Sequence, residues 1–300
     1  MRSFAIFLGL IALGFAGIAL LGYPAWLLVS PLLDNPKFSR VASRVGMLIL
    51  LVGFVFVARH LKVADRRSLG FDPPVGSFAR EALIAVVLGV LLMLPLVGTM
   101  LMLDLRELKP DVQFTASTLA SLAFAGLASG LVVALIEETF LRGAMQTAIT
   151  RESGAALAIA LTSVVYAALH FVAGKYRVPA SEVHFGSGLD MLAEVLKGFS
   201  DPLGILDSFL CLTAVGVLLG VVRLVTGNIA ACIGLHAGWV AVIYVVRETT
   251  MPNLASPAAW VMGDYDGFIG WMVLAWIPVI GWILYRWYDR RKKMGTFLIS

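Results

Sequence analysis

Long apolar runs alternate with short polar stretches along this chain, and several approach the ~20 residues that a helix needs to cross a hydrocarbon core of about 30 Å. The pattern predicts about eight spans, at residues 4–29, 45–57, 82–103, 117–149, 155–173, 203–225, 228–246 and 268–285. The first begins like a signal peptide, Met1 and Arg2 and then apolar residues, but runs too long for one and is read as a retained helix. The fourth is longer than a perpendicular span needs, so it should tilt or run past the interface. Between the second and third spans lie Arg59, His60, Lys62, Arg66 and Arg67, closed by Asp72-Pro73-Pro74. Residues 174–202 form the longest polar stretch, with a short amphipathic surface helix predicted at 189–199.

Composition sharpens this picture. Residues are 60% hydrophobic and only 14% charged, against about 25% charged in soluble domains. The fold class is therefore an all-α polytopic membrane protein. The net charge of +4 gives no sign of nucleic acid, because the basic residues sit in clusters between apolar runs, where orientation signals belong. Their bias places both termini and the loop after the second span on the cytoplasmic side, with Lys37, Arg40 and Arg44 running against it. The tail Arg290-Arg291-Lys292-Lys293 adds to the cytoplasmic set. Cys211 and Cys232 lack a paired spacing and read as small hydrophobes buried in lipid. The chain ends without a cysteine, so it is not itself a prenylation substrate. No soluble domain, linker or short repeat is evident.

Against this apolar background one stretch stands out, Ala134-Leu135-Ile136-Glu137-Glu138-Thr139-Phe140-Leu141-Arg142-Gly143. A charge at bilayer depth costs roughly 2.5–3.5 kcal/mol even on the lenient insertion scale. Glu138 and Arg142 are four apart with the acid on the N-terminal side, so they share a helix face and pair. Glu137 points elsewhere and is left without a cation, which suits a group that exchanges protons with water. The plainer alternative is a salt bridge that only joins helices. His60 and His184 lie in polar stretches and read as solvated, whereas His170 and His236 sit inside apolar helices. Two intramembrane imidazoles and an unpaired carboxyl group on three helices favour a joint site. Tyr166, four before His170, shares its face and either orients the imidazole or packs between helices. Gly126, Ser129, Gly130 and Ala134 allow close helix approach.

These residues resemble the motifs of the type II CAAX-prenyl-protease and bacteriocin-processing (CPBP) proteins, a family of glutamate-dependent intramembrane endopeptidases. Glu137-Glu138 with Arg142 is similar to E-E-x-x-x-R, Tyr166 with His170 to F-x-x-x-H with a tyrosine substituted, and His236 to the histidine of H-x-x-x-N. The resemblance covers residues 117–247 and divides the chain into N-terminal helices (1–116), a protease-like core in helices four to seven (117–247), and a last helix with a basic tail (248–300). It implies that Glu137 and His170 activate a water, that His236 helps stabilise the oxyanion, and that Arg142 positions Glu138, without a metal. The substrate implied is a membrane-inserted or lipid-anchored protein or peptide, handled within the lipid bilayer and without nucleic acid. Where the family has asparagine four after the second histidine, this chain has Val240. Either Trp239 or Tyr166 supplies the missing donor, or activity is weakened or lost. Two other readings stay open: a zinc protease using Glu137, His170 and His236, and a non-catalytic scaffold or immunity factor of the same fold. The absence of recognisable eukaryotic targeting signals suits a bacterial inner membrane.

Overall fold

In lipid every backbone amide must find its partner within the protein, and a helix does this within one segment. All eight apolar segments are helical in the computed structural model, which describes residues 1–172, 176–263 and 265–293, without the side chains of 291–293. The long helices are α1 (Arg2–Val29), α2 (Phe38–His60), α4 (Val75–Met102), α5 (Ala116–Glu138), α9 (Leu206–Thr226), α10 (Ala230–Thr249) and α11 (Trp271–Lys293). Between them lie the short helices α3 (Arg66–Leu69), α6 (Gln146–Ser153), α7 (Ala155–His170) and α8 (Ser187–Lys197). The predicted basic tail is described only as far as the side chain of Arg290. The chain end at 294–300 and the predicted last residue of the fifth span, residue 173, lie outside the described residues.

Among the described residues six helices are long and apolar enough to cross a membrane: α1, α2, α4, α5 with its continuation to Ser153, α9 and α10. Helix α7 has 16 residues, about 24 Å at 1.5 Å per residue, and falls short of the core thickness. Its apolar run outlasts the helix, which stops at His170. Helix α11 is not among the six, since tryptophans, tyrosines and Arg286 dilute its apolar run. Helix α8 begins two residues before the predicted amphipathic segment and lies on α1, burying Met191 and Val195.

Helix α10 is the hub of the bundle. Of its most apolar window 72% is buried, against 17% for α5, and it packs between α4 and α5. Small residues set this spacing: Gly126, Gly130 and Ala134 are buried on α5, whereas Ser129 is exposed and donates to the Gly126 carbonyl at 3.1 Å. A Cβ at Gly130 would stand 2.7 Å from the Ala237 carbonyl oxygen, which is backbone and cannot swing aside. Gly130→Ala should therefore destabilise the protein by about 1–3 kcal/mol, the usual cost of overpacking. Gly98→Ala, at a position with open space around it, should leave thermal stability in detergent unchanged or slightly raised. Equal melting temperatures for the two variants would show that the α5–α10 contact is not close-packed.

Cys211 and Cys232 are buried inside the protein core of α4, α9, α10 and α11, so neither faces lipid, contrary to the expectation from sequence. Two features have no counterpart in the hydrophobic pattern. A short antiparallel pair joins β1 (Arg106–Leu108) to β2 (Thr250–Pro252), tying the loop after α4 to the end of α10. Arg106 is buried there, donating to the Thr250 hydroxyl at 2.7 Å, the Thr250 carbonyl at 3.1 Å and the Gly267 carbonyl.

Candidate active site

Helix α5 starts at Thr115, whose hydroxyl caps the Thr118 amide at 3.1 Å, and runs unbroken to Glu138. There the backbone widens into a π-helical turn over Thr139–Met145 before resuming as α6. Such insertions are uncommon and cluster at functional sites. This one carries Arg142 inward until the residue is fully buried. Gly143 lets the turn lie against the Leu69 carbonyl, where a Cβ would stand 2.8 Å from the oxygen.

Arg142 makes three contacts with three elements. Its Nη1 donates to Glu138 Oε1 at 3.3 Å and its Nη2 to the Gly216 carbonyl of α9 at 3.3 Å. Its guanidinium also lies over the Tyr166 ring of α7, 4.6 Å from the centroid. His236 of α10 places Nδ1 2.8 Å from the same Glu138 oxygen. With the carboxylate accepting, Nδ1 carries the proton and Nε2 is turned away from the pair. The predicted Glu138–Arg142 pair thus forms, and His236 joins it.

His170 ends α7. Its Nδ1 lies 2.8 Å from the Tyr166 carbonyl, an oxygen that can only accept, so the proton sits on Nδ1 and Nε2 keeps its lone pair. The Tyr166 ring meets the His170 ring edge-on at 4.5 Å and the His236 ring at 6.1 Å. Tyr166 therefore orients His170 through its backbone oxygen and packs its ring edge-on against both imidazoles, a more definite arrangement than the hydroxyl contact considered from sequence.

Glu137 stands beside this network without entering it. Its Oε2 is buried and has no hydrogen-bond partner among the described residues. Trp239 is also buried, and its Nε1 is likewise unpartnered among them. Its ring belongs to the core of α4, α9, α10 and α11. Val240, at the family's asparagine position, packs against α5: a Cβ at Gly130 would lie 3.3 Å from its own Cβ. Here that position serves helix packing. His60 and His184 are exposed, as expected.

Sequence reasoning missed three parts of the site. The Gly216 carbonyl accepts from Arg142, and the buried Gln146 donates Nε2 to the Gly220 carbonyl at 3.0 Å, one turn along. Tyr265, in the loop before α11, donates its hydroxyl to the His170 carbonyl at 2.8 Å. Burial pushes the Tyr265 phenol above its ordinary pKa; Asp266 and Glu137 add to this and Arg247 opposes it. The one local hint was its place in Gly-Asp-Tyr-Asp-Gly, a glycine-flanked polar insertion between apolar helices. Among the described residues no three His, Cys, Asp or Glu side chains converge as a metal ligand set.

Apolar helices of membrane-spanning length hold Glu138, Arg142 and His236 in a buried cluster, with Tyr166 and His170 against it. Glu137 is half-buried next in sequence to Glu138. This centre defines an integral membrane protein with charged groups gathered in its interior. The family model described as "Type II CAAX prenyl endopeptidase Rce1-like" matches residues 119–242, which run from the start of α5 into α10 and hold every residue of that centre except Tyr265. Over that segment, about two fifths of its length, the chain is similar to CAAX-protease-like membrane peptidases. No curated protein and no solved structure matches it.

Proposed function

We propose that the protein is a glutamate-dependent intramembrane endopeptidase that cuts a membrane-associated protein or peptide with water as nucleophile. The observation that carries this reading is the division of labour between adjacent acids. Arg142 and His236 both engage Glu138, while the buried oxygen of Glu137 is left unpartnered among the described residues. Glu137 takes a proton from water, assisted by the free Nε2 of His170. The hydroxide attacks the peptide carbonyl carbon, and the resulting oxyanion is met by His236 through Nε2 in its doubly protonated form, with Nδ1–H kept on Glu138. The proton held by Glu137 then passes to the leaving amine as the C–N bond breaks. Preorganised donors of this kind lower such a barrier by about 2.7–4 kcal/mol each.

The family description supports a prenylated C-terminal peptide as the first substrate to test, beside a membrane-inserted one. The test uses purified protein in detergent and a quenched fluorogenic peptide carrying a farnesylated cysteine three residues from its end. A prenyl-free copy and a single-span membrane peptide run in parallel. Wild-type protein should cleave at least one, and Glu137→Ala and His170→Ala should not; unchanged cleavage in both variants refutes the roles assigned to Glu137 and His170. Thorough chelation should leave the rate unchanged, whereas loss that zinc restores would reassign Glu137, His170 and His236 as metal ligands.

Val240 is the one feature that favours a non-catalytic scaffold or immunity factor instead. Full biological effect of a Glu137→Gln protein in its host would establish that reading. The Lys and Arg bias supports cytoplasmic termini. Alkaline phosphatase fused after α2 should then be inactive, and an active fusion there would invert the topology.

A further inference from the structure

We propose that Tyr265 is a positioning residue for His170, reaching the site from a loop outside the segment that matches the family. The inference rests on the water-activating role of His170 and adds a residue to it. The last carbonyls of a helix have no partner within it, and α7 ends at the residue whose side chain does the chemistry. The Tyr265 hydroxyl takes up the carbonyl of His170 itself, at 2.8 Å. With Nδ1 held by Tyr166 one turn earlier at 2.8 Å, the residue is fixed at both its backbone and its ring. That leaves Nε2 aimed in one direction.

The loop is built to hold the hydroxyl there. The Tyr265 ring packs on Phe171, centroids 4.8 Å apart, and Phe171 in turn meets Phe199 and Phe209 at 6.1 and 6.2 Å. Asp266 Oδ1 accepts the amides of Phe268 and Ile269 at 2.9 and 2.8 Å, closing the turn. Buried Arg106, reaching over from β1, donates to the Gly267 carbonyl. An arginine in the loop between α4 and α5 thus braces a tyrosine that braces the catalytic histidine. The charged groups bearing on the phenol are Asp266 of its own loop, Arg247 of α10 and Glu137 of α5.

A merely structural tyrosine would alter melting temperature; a positioning one alters the imidazole. The measurements are kinetics with the farnesylated peptide and ring 15N spectra of histidine-labelled protein, for wild type, Tyr265→Phe and Glu137→Gln. Tyr265→Phe should lower kcat roughly 10- to 100-fold with KM unchanged, the range expected for a small misplacement of a reacting group. The His170 spectrum should move from a single Nδ1–H tautomer to a mixture, with the melting temperature held. Wild-type kcat and an unaltered His170 spectrum would overturn the proposal. An active Glu137→Gln protein would instead overturn the reading beneath it, so the two failures are distinct.

Should Tyr265→Phe not accumulate as folded protein, difluorotyrosine at position 265 keeps the shape and ionises at lower pH. The phenol must be protonated to donate, so the alkaline limb of the rate profile should move to lower pH. An unmoved limb counts against the proposal.

Discussion

Glu137→Gln is expected to lower kcat by about 10²–10⁴, the contribution of a positioned acid–base group, while leaving the melting temperature where it was. Glu138→Gln is expected to do something different, lowering the melting temperature as well as the rate. The two residues are adjacent and chemically identical, so the contrast isolates environment. Glutamine at 137 keeps the shape of a side chain that makes no hydrogen bond through its buried oxygen among the described residues; what is lost is the capacity to take a proton. Glutamine at 138 removes the carboxylate that faces both Arg142 and His236, at 3.3 and 2.8 Å. Arg142, with no exposed surface, would then hold its charge in a dry interior without that counterion. Breaking a buried pair from one side costs about 3–5 kcal/mol. Cleavage rate and thermal unfolding in detergent, measured on both variants, read the two effects separately. If both variants lose only activity, Glu138 is part of the chemistry and not of its support.

The apolar spacing located every long helix, because a chain in lipid has little choice but to hydrogen-bond within each segment. The pairing of Glu138 with Arg142 was equally legible, being a matter of four residues on one helix face. What was not legible depends on contacts distant in sequence. His236 meets Glu138 from 98 positions further along the chain, and nothing near either residue announces the other. The π turn at Thr139–Met145 is invisible to a periodicity argument, since a single widened turn is too short to reset the hydrophobic pattern of the helix around it. Arg106 is one of five charged residues in the polar loop after α4, with Asp104, Glu107, Lys109 and Asp111, yet it is buried and braces the loop of Tyr265. Tyr265 itself lies beyond the residues that resemble the family, so neither motif nor spacing could reach it.

The second large effect concerns Arg142, and the expected result is non-additive. Arg142→Met alone should cost about 3–5 kcal/mol, because it leaves Glu138 buried and charged. The double variant Glu138→Gln, Arg142→Met should recover most of that loss, since two neutral side chains of similar volume need no mutual compensation. It should not recover cleavage. Arg142 spans Glu138, the Gly216 carbonyl and the Tyr166 ring at once, so it ties three helices to one another around the site. Methionine can fill that volume but cannot direct it. Arg142→Lys separates charge from geometry: an ammonium retains the ion pair and gives up the planar fork and the stacking face. Lysine should therefore keep more stability than methionine and still lose most of the rate. A lysine variant with wild-type kcat would mean that a positive charge near Glu138 is all the site requires, and that the guanidinium contacts to α7 and α9 are packing alone.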